Sequence, residues 1–107
     1  MVDALTPEQL AEKLRAAPGS YVLLDVREPD ERATAAIEPS IHIPMNDVPR
    51  RLNELPKGRP LVVYCHHGGR SAMVAAYLEG EGFTEIVNLT GGIDRWSARV
   101  DPAVPRY

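Results

Sequence analysis

Leu61-Val62-Val63-Tyr64-Cys65-His66-His67-Gly68-Gly69-Arg70-Ser71 is the stretch that decides how this chain is read. Four consecutive apolar residues predict a strand buried on both faces, and residues 71–81 carry a helical pattern. The single cysteine of the chain therefore stands at the carboxyl end of a strand, in a glycine-containing loop that feeds a helix. Backbone N–H groups and the dipole of a helix N-terminus favour negative charge there, so a thiol in that place is favoured as thiolate. Each tenfold shift toward the anion corresponds to about 1.4 kcal/mol of preferential stabilisation. The competing reading, an inert buried cysteine, fits poorly with the His-His-Gly-Gly-Arg that follows, which predicts an accessible sulfur. Gly68 and Gly69 are expected to let the loop curl with its N–H groups inward, a conformation that often needs positive φ.

Working outward, the elements alternate. Toward the N-terminus, Thr6-Pro7-Glu8-Gln9 reads as a capped helix start, with Thr6 as N-cap and Gln9 completing a capping box. Pro18-Gly19 stops that helix. Tyr21-Val22-Leu23-Leu24 predicts a buried strand whose carboxyl end carries Asp25, Arg27 and Glu28. Pro29 opens a short helix, and Ile41-His42-Ile43-Pro44 is a second short strand. Asn46 or Asp47 is expected to cap a helix carrying Val48, Leu52 and Leu55. Toward the C-terminus, residues 72–78 are apolar nearly all round, which predicts a helix covered on both sides. Ile86-Val87-Asn88-Leu89 is another strand, then Gly91-Gly92 leads into a short helix around residues 93–98 and an extended tail. Strands alternating with helices make this an α/β chain with a mostly parallel sheet. In such sheets the binding crevice lies beyond the carboxyl ends of the strands, where Asp25–Arg27, Cys65 and Thr90-Gly91 all fall.

Composition narrows the function classes. The 107 residues fit one domain, and 44% hydrophobic with 25% charged residues are globular values. A net charge of −3 gives no general affinity for nucleic acid or an anionic membrane. One cysteine excludes an intramolecular disulfide and leaves no resolving thiol within these residues. No signal peptide is visible at residues 1–8 and no run is long enough to span a bilayer, so a cytoplasmic protein is expected.

Taken together, Leu24-Asp25-Val26-Arg27-Glu28 with Glu31, then Ile41-His42-Ile43-Pro44, then residues 65–71, then Gly91-Gly92-Ile93-Asp94-Arg95-Trp96 resemble a single-domain rhodanese. The resemblance covers essentially the whole chain in the right order. It implies a five-stranded, mostly parallel sheet flanked by helices on both faces, and a thiosulfate sulfurtransferase that carries sulfane sulfur as a persulfide on Cys65, with no other cofactor. The chain departs from the family's usual Gly-His-Ile-Pro-Gly-Ala at Ala35-Ala36-Ile37-Glu38-Pro39-Ser40, which puts the local turn geometry in question. The ending, from Trp96 through Val100-Asp101-Pro102 to Tyr107, resembles rhodanese domains fused to activating enzymes of ubiquitin-like proteins. That implies a ubiquitin-like sulfur carrier as one acceptor, beside a thiol or cyanide.

Within this reading, Cys65 is the nucleophile and residues 66–71 bind the substrate and the persulfide. Arg70 either binds the donor's sulfonate end or braces the loop. His66 and His67 line the pocket mouth, with no metal expected because adjacent side chains diverge. Asp25 hydrogen-bonds the loop or pairs with an arginine, Arg27 faces the substrate or is structural, and Glu31 is structural. Trp96 is expected to plug the core behind the loop. The loop of residues 65–70 is one residue shorter than in the related phosphatases, which favours sulfur transfer over phosphate or arsenate chemistry. A non-catalytic binding module of the same shape is the remaining alternative, and it would not need the cysteine.

Overall fold

The computed structural model describes residues 2–107. Five strands form one sheet: β1 (Asp3–Leu5), β2 (Val22–Asp25), β3 (Ile41–His42), β4 (Leu61–Tyr64) and β5 (Ile86–Leu89), in the order β1-β5-β4-β2-β3. All four pairings are parallel. Four α-helices accompany them: α1 (Pro7–Ala16), α2 (Pro29–Thr34), α3 (Gly69–Gly80) and α4 (Gly92–Arg99). The central strand is β4, and its four residues are buried. Its side chains alternate between two cores, as strand geometry requires. Leu61 and Val63 join Leu24, Val26, Val74, Ala75, Leu78 and Phe83 on the α3 side. Val62 and Tyr64 join Leu10, Leu23, Leu89, Ile93 and Trp96 on the side of α1 and α4. Cys65, the next residue, belongs to the α3 side. Trp96 therefore packs on the opposite face of the sheet from Cys65 and is not directly behind the loop.

Local signals account for several boundaries. The expected capping box starts α1: Gln9 N–H donates to Thr6 Oγ1 at 3.1 Å and Thr6 N–H to Gln9 Oε1 at 2.9 Å. Three expectations need correction. Strand β1 has no apolar run to announce it; its three residues pair Asp3, Ala4 and Leu5 with Val87, Asn88 and Leu89. The helix expected around Val48, Leu52 and Leu55 is instead two 3-10 turns, Met45–Arg50 and Leu52–Glu54. Pro49 sits inside the first and cannot donate an i→i−4 hydrogen bond. Helix α3 is covered on one side only. Ser71, Val74, Ala75 and Leu78 face the core, whereas Met73 and Tyr77 remain 65% and 38% exposed. No helix among the described residues is long and apolar enough to cross a membrane.

The departure at residues 35–40 is built into the core. Ala35 and Ile37 are buried, Ile37 N–H donates to Tyr64 Oη at 3.2 Å, and the Glu38–Pro39 peptide is cis. Leu78 is the largest fully buried side chain of α3. Leu78→Ala is expected to cost about 3 kcal/mol of stability, the middle of the range for such truncations, measured by urea unfolding.

Candidate active site

The site begins where β4 ends. Cys65 follows the last strand residue, and the chain turns through residues 66–68 into α3. Gly68 is the N-cap of α3 with φ 111°, and a Cβ there would meet Gly91 N at 3.5 Å and Leu89 O at 3.6 Å. Gly69, also expected to need positive φ, does not. It is the first residue of α3 and a Cβ on it would meet nothing within 4 Å. The glycine that matters second is on another element: Gly92 (φ 60°), where a Cβ would lie 2.4 Å from Cys65 O and 2.5 Å from His66 O. That approach lets the first turn of α4 hold the loop from outside. Ile93 N–H donates to Cys65 O at 2.9 Å and Asp94 N–H to His66 O at 3.1 Å.

With those carbonyls bound outward, N–H groups turn toward the sulfur. Cys65 Sγ accepts from Gly68 N–H at 3.1 Å and Ser71 N–H at 3.3 Å, and lies 3.4 Å from Ser71 Oγ. Ser71 Oγ donates to Asn88 Oδ1 at 2.5 Å, and Asn88 Nδ2 donates to Gly68 O at 3.3 Å. Asn88 was not singled out in the sequence. The signal was a polar residue in an otherwise apolar buried strand. The accessible sulfur that was expected is corrected here: Cys65 is only 1% exposed, because its loop folds over it and its side chain enters the α3 core.

Of the two readings of Arg27, facing the substrate or structural, the structural one fits its surroundings: it is 0% exposed and its five guanidinium N–H donors are all used. Nε and one Nη2 hydrogen go to Asp25 (2.9 and 2.7 Å), the other Nη2 hydrogen to Ala35 O (2.6 Å), and Nη1 to Glu31 O (3.3 Å) and Tyr107 Oη (2.9 Å). Asp25, given as bonding the loop or pairing with an arginine, pairs with Arg27 and also accepts from Arg32 and from Tyr64 Oη, each at 3.2 Å. Burial pushes the Asp25 carboxyl up. Hydrogen bonds and charge from Arg27, with a hydrogen bond from Arg32, outweigh it and hold the group below its usual range.

Arg70 makes a two-point pair with Glu31, Nη1 to Oε1 at 2.7 Å and Nη2 to Oε2 at 2.9 Å. Glu31 is more than scaffold: Oε1 also accepts Glu28 N–H at 3.1 Å and Oε2 the Tyr107 hydroxyl at 2.8 Å. Arg70 is the main reason its pKa falls to about 2; burial opposes, and Glu28 and Tyr107 add to the lowering. His66 and His67 do not diverge. Their ring centroids are 3.9 Å apart at 30°, and Tyr107 stacks on His66, also at 3.9 Å. Burial, then the neighbouring His67, lowers the His66 pKa and favours the neutral ring. With Asp94, these histidines bring three potential ligand atoms within 4.8 Å of one another. Arg106 already holds the Asp94 carboxylate at 3.0 and 3.1 Å.

Comparison with known proteins shows the family. Residues 6–99 match the Rhodanese-like domain. The chain belongs to the rhodanese-like family. A sulfurtransferase of Allochromatium vinosum is 38% identical over 104 residues, 97% of this chain and 96% of that protein. A thiosulfate sulfurtransferase of Pseudomonas syringae is 37% identical over 92 residues, covering 86% and 84% of the two chains. Among solved structures, a rhodanese-related protein of Thermoplasma volcanium superposes with a TM-score of 0.85 at 31% identity, covering 98% of this chain and 99% of that one. In this rhodanese-like chain the five-stranded parallel sheet and its helices are those the family resemblance implied.

Two outcomes test the site's construction. Gly92→Ala is expected to displace α4 from the loop and destabilise the protein by several kcal/mol, about the cost of backbone strain plus overpacking, while Gly69→Ala stays near wild type in thermal unfolding. The Asp25 pairing has a depressed folded-state pKa, so its stabilisation is complete above the ordinary carboxylate range, about pH 4, and is lost as pH falls through the depressed value. Asp25→Asn should lower stability at neutral pH by about 3–5 kcal/mol and flatten the acid limb of stability against pH in denaturant titrations.

Proposed function

We propose that this chain is a sulfurtransferase working by double displacement through a persulfide on Cys65. The Cys65 thiolate attacks the outer sulfur of thiosulfate. The S–S bond of the donor breaks, its electron pair leaves with sulfite, and the outer sulfur stays as the Cys65 persulfide. A nucleophilic acceptor then attacks that outer sulfur, taking it as thiocyanate if the acceptor is cyanide, or as a new persulfide if it is a thiol, and the Cys65 thiolate is restored. Toward a ubiquitin-like sulfur carrier the roles invert: the terminal persulfide sulfur attacks the carrier's activated C-terminal acyl group, the activating group leaves, and an external thiol then cleaves the S–S bond to release the thiocarboxylate. With one cysteine in these 107 residues, an acceptor thiol lies outside them.

The observation that carries the reading is the pair of N–H donors on Cys65 Sγ, from Gly68 and Ser71. A sulfur anion gains from charge-assisted hydrogen bonds that need no rearrangement as the charge moves. The short loop supports a guest of one sulfur better than a whole phosphate group. The relatives named as sulfurtransferases support the class. Arg70 is the cation placed to receive the donor's anionic end, once it exchanges Glu31 for that anion.

Intact-mass measurement after incubation with thiosulfate is expected to show one added sulfur atom on the wild type and none on Cys65→Ala. Cyanide or a thiol should then remove it. A folded wild type that gains no sulfur would sink the thiosulfate reading.

A further inference from the structure

Residues 106 and 107 are fastened across the mouth of the site by three separate contacts. Arg106 binds Asp94 through Nε and Nη2 at 3.0 and 3.1 Å. The Tyr107 ring stacks on His66, the neighbour of Cys65, with an interplanar angle of 8°. The Tyr107 hydroxyl accepts from Arg27 Nη1 at 2.9 Å and donates to Glu31 Oε2 at 2.8 Å. That last bond falls on the same carboxylate oxygen that receives Arg70 Nη2, while Glu28 N–H braces the other oxygen. Glu31 is thus oriented from both sides to face Arg70. Arg27 has no donor left for a ligand, so Arg70 is the guanidinium at this loop that an anion can recruit, and it must leave Glu31 to do so.

We propose that Tyr107 is a specificity-determining residue that restricts access of small anions to Arg70 and Cys65. The proposal deepens the sulfur-transfer reading, on which it rests for the identity of the natural anion. Tyr107 acts by orientation and by exclusion of water. Its hydroxyl holds Glu31 in register with Arg70. Its ring lies against His66 beside the sulfur loop, and the ion pair that its hydroxyl braces would weaken in a wetter, higher-dielectric setting. Loosening that carboxylate shifts Arg70 toward an incoming anion. A donor or acceptor large enough to displace the 106–107 strap avoids this barrier, whereas free thiosulfate meets it in full.

The test uses two alkylating probes of nearly equal size, anionic iodoacetate and neutral iodoacetamide, each losing iodide to the Cys65 thiolate. Their rate ratio reports on Arg70 availability and needs no sulfur-transfer activity. Tyr107→Phe keeps the stacked ring and removes only the hydroxyl. It is expected to raise the iodoacetate-to-iodoacetamide ratio about threefold to tenfold, the scale of one net hydrogen bond. It should also lower KM for thiosulfate with kcat little changed. Glu31→Gln should raise the ratio at least as far, and Tyr107→Ala should in addition speed alkylation by the neutral probe. An unchanged ratio in Tyr107→Phe, with circular dichroism showing a folded protein, overturns the proposal whatever Glu31→Gln does. A raised ratio in a protein that takes no sulfur from thiosulfate supports the gate and counts only against the sulfur-transfer reading.

Discussion

A buried guanidinium is tolerable in a protein only when every one of its donors is met, and Arg27 meets that condition with partners drawn from four places in the chain. Asp25 at the end of β2, the carbonyl of Glu31 in α2, the carbonyl of Ala35 beyond it, and the hydroxyl of Tyr107 all converge on it. Asp25 in turn ties in Tyr64, the residue before Cys65, and Arg32. Removing Asp25 would strand a charge in a dry setting, and losing a neutral partner would leave a buried donor unmet. The network therefore does more than add stability. It fixes how α2 lies against the end of β4, and through α2 it fixes where Glu31 meets Arg70.

The loop around Cys65 depends on a second device, the close approach of α4. Two carbonyls that would otherwise compete for the interior are taken by amides of Ile93 and Asp94. The amides of Gly68 and Ser71 are then free to point at sulfur. Positive φ at Gly68 and a missing Cβ at Gly92 make both halves of the arrangement possible. One glycine shapes the loop from within and the other admits the helix that supports it.

How much of this was legible in the sequence follows from range. Signals confined to a few neighbouring residues read well: the capping box at Thr6 and Gln9, the apolar run of β4, and the cysteine in its glycine loop. So did the ordered set of motifs that carried the family resemblance. Contacts that join distant residues left no periodic trace. Arg70 and Glu31 lie 39 positions apart, Arg27 and Tyr107 80, and neither pairing is encoded in spacing. For Arg27 a substrate-facing and a structural role were both open, because a charged residue at the end of a strand usually is exposed; its burial depends on partners supplied by later segments. Strand β1 escaped for another reason. Three residues flanked by a helix cap offer too short a window for alternation to register.

That brevity at β1 has a counterpart at the other edge of the sheet, where β3 is only two residues long. A parallel sheet ends in two rows of unsatisfied peptide groups, each an invitation for a foreign strand to join. Here the long, strongly apolar strands β2, β4 and β5 are interior, and the edges expose two or three residues each. Pro44 lies two residues beyond β3 and cannot donate a backbone N–H to an added strand. The fold thus keeps its stickiest backbone enclosed and presents templates too brief for edge-to-edge aggregation to begin.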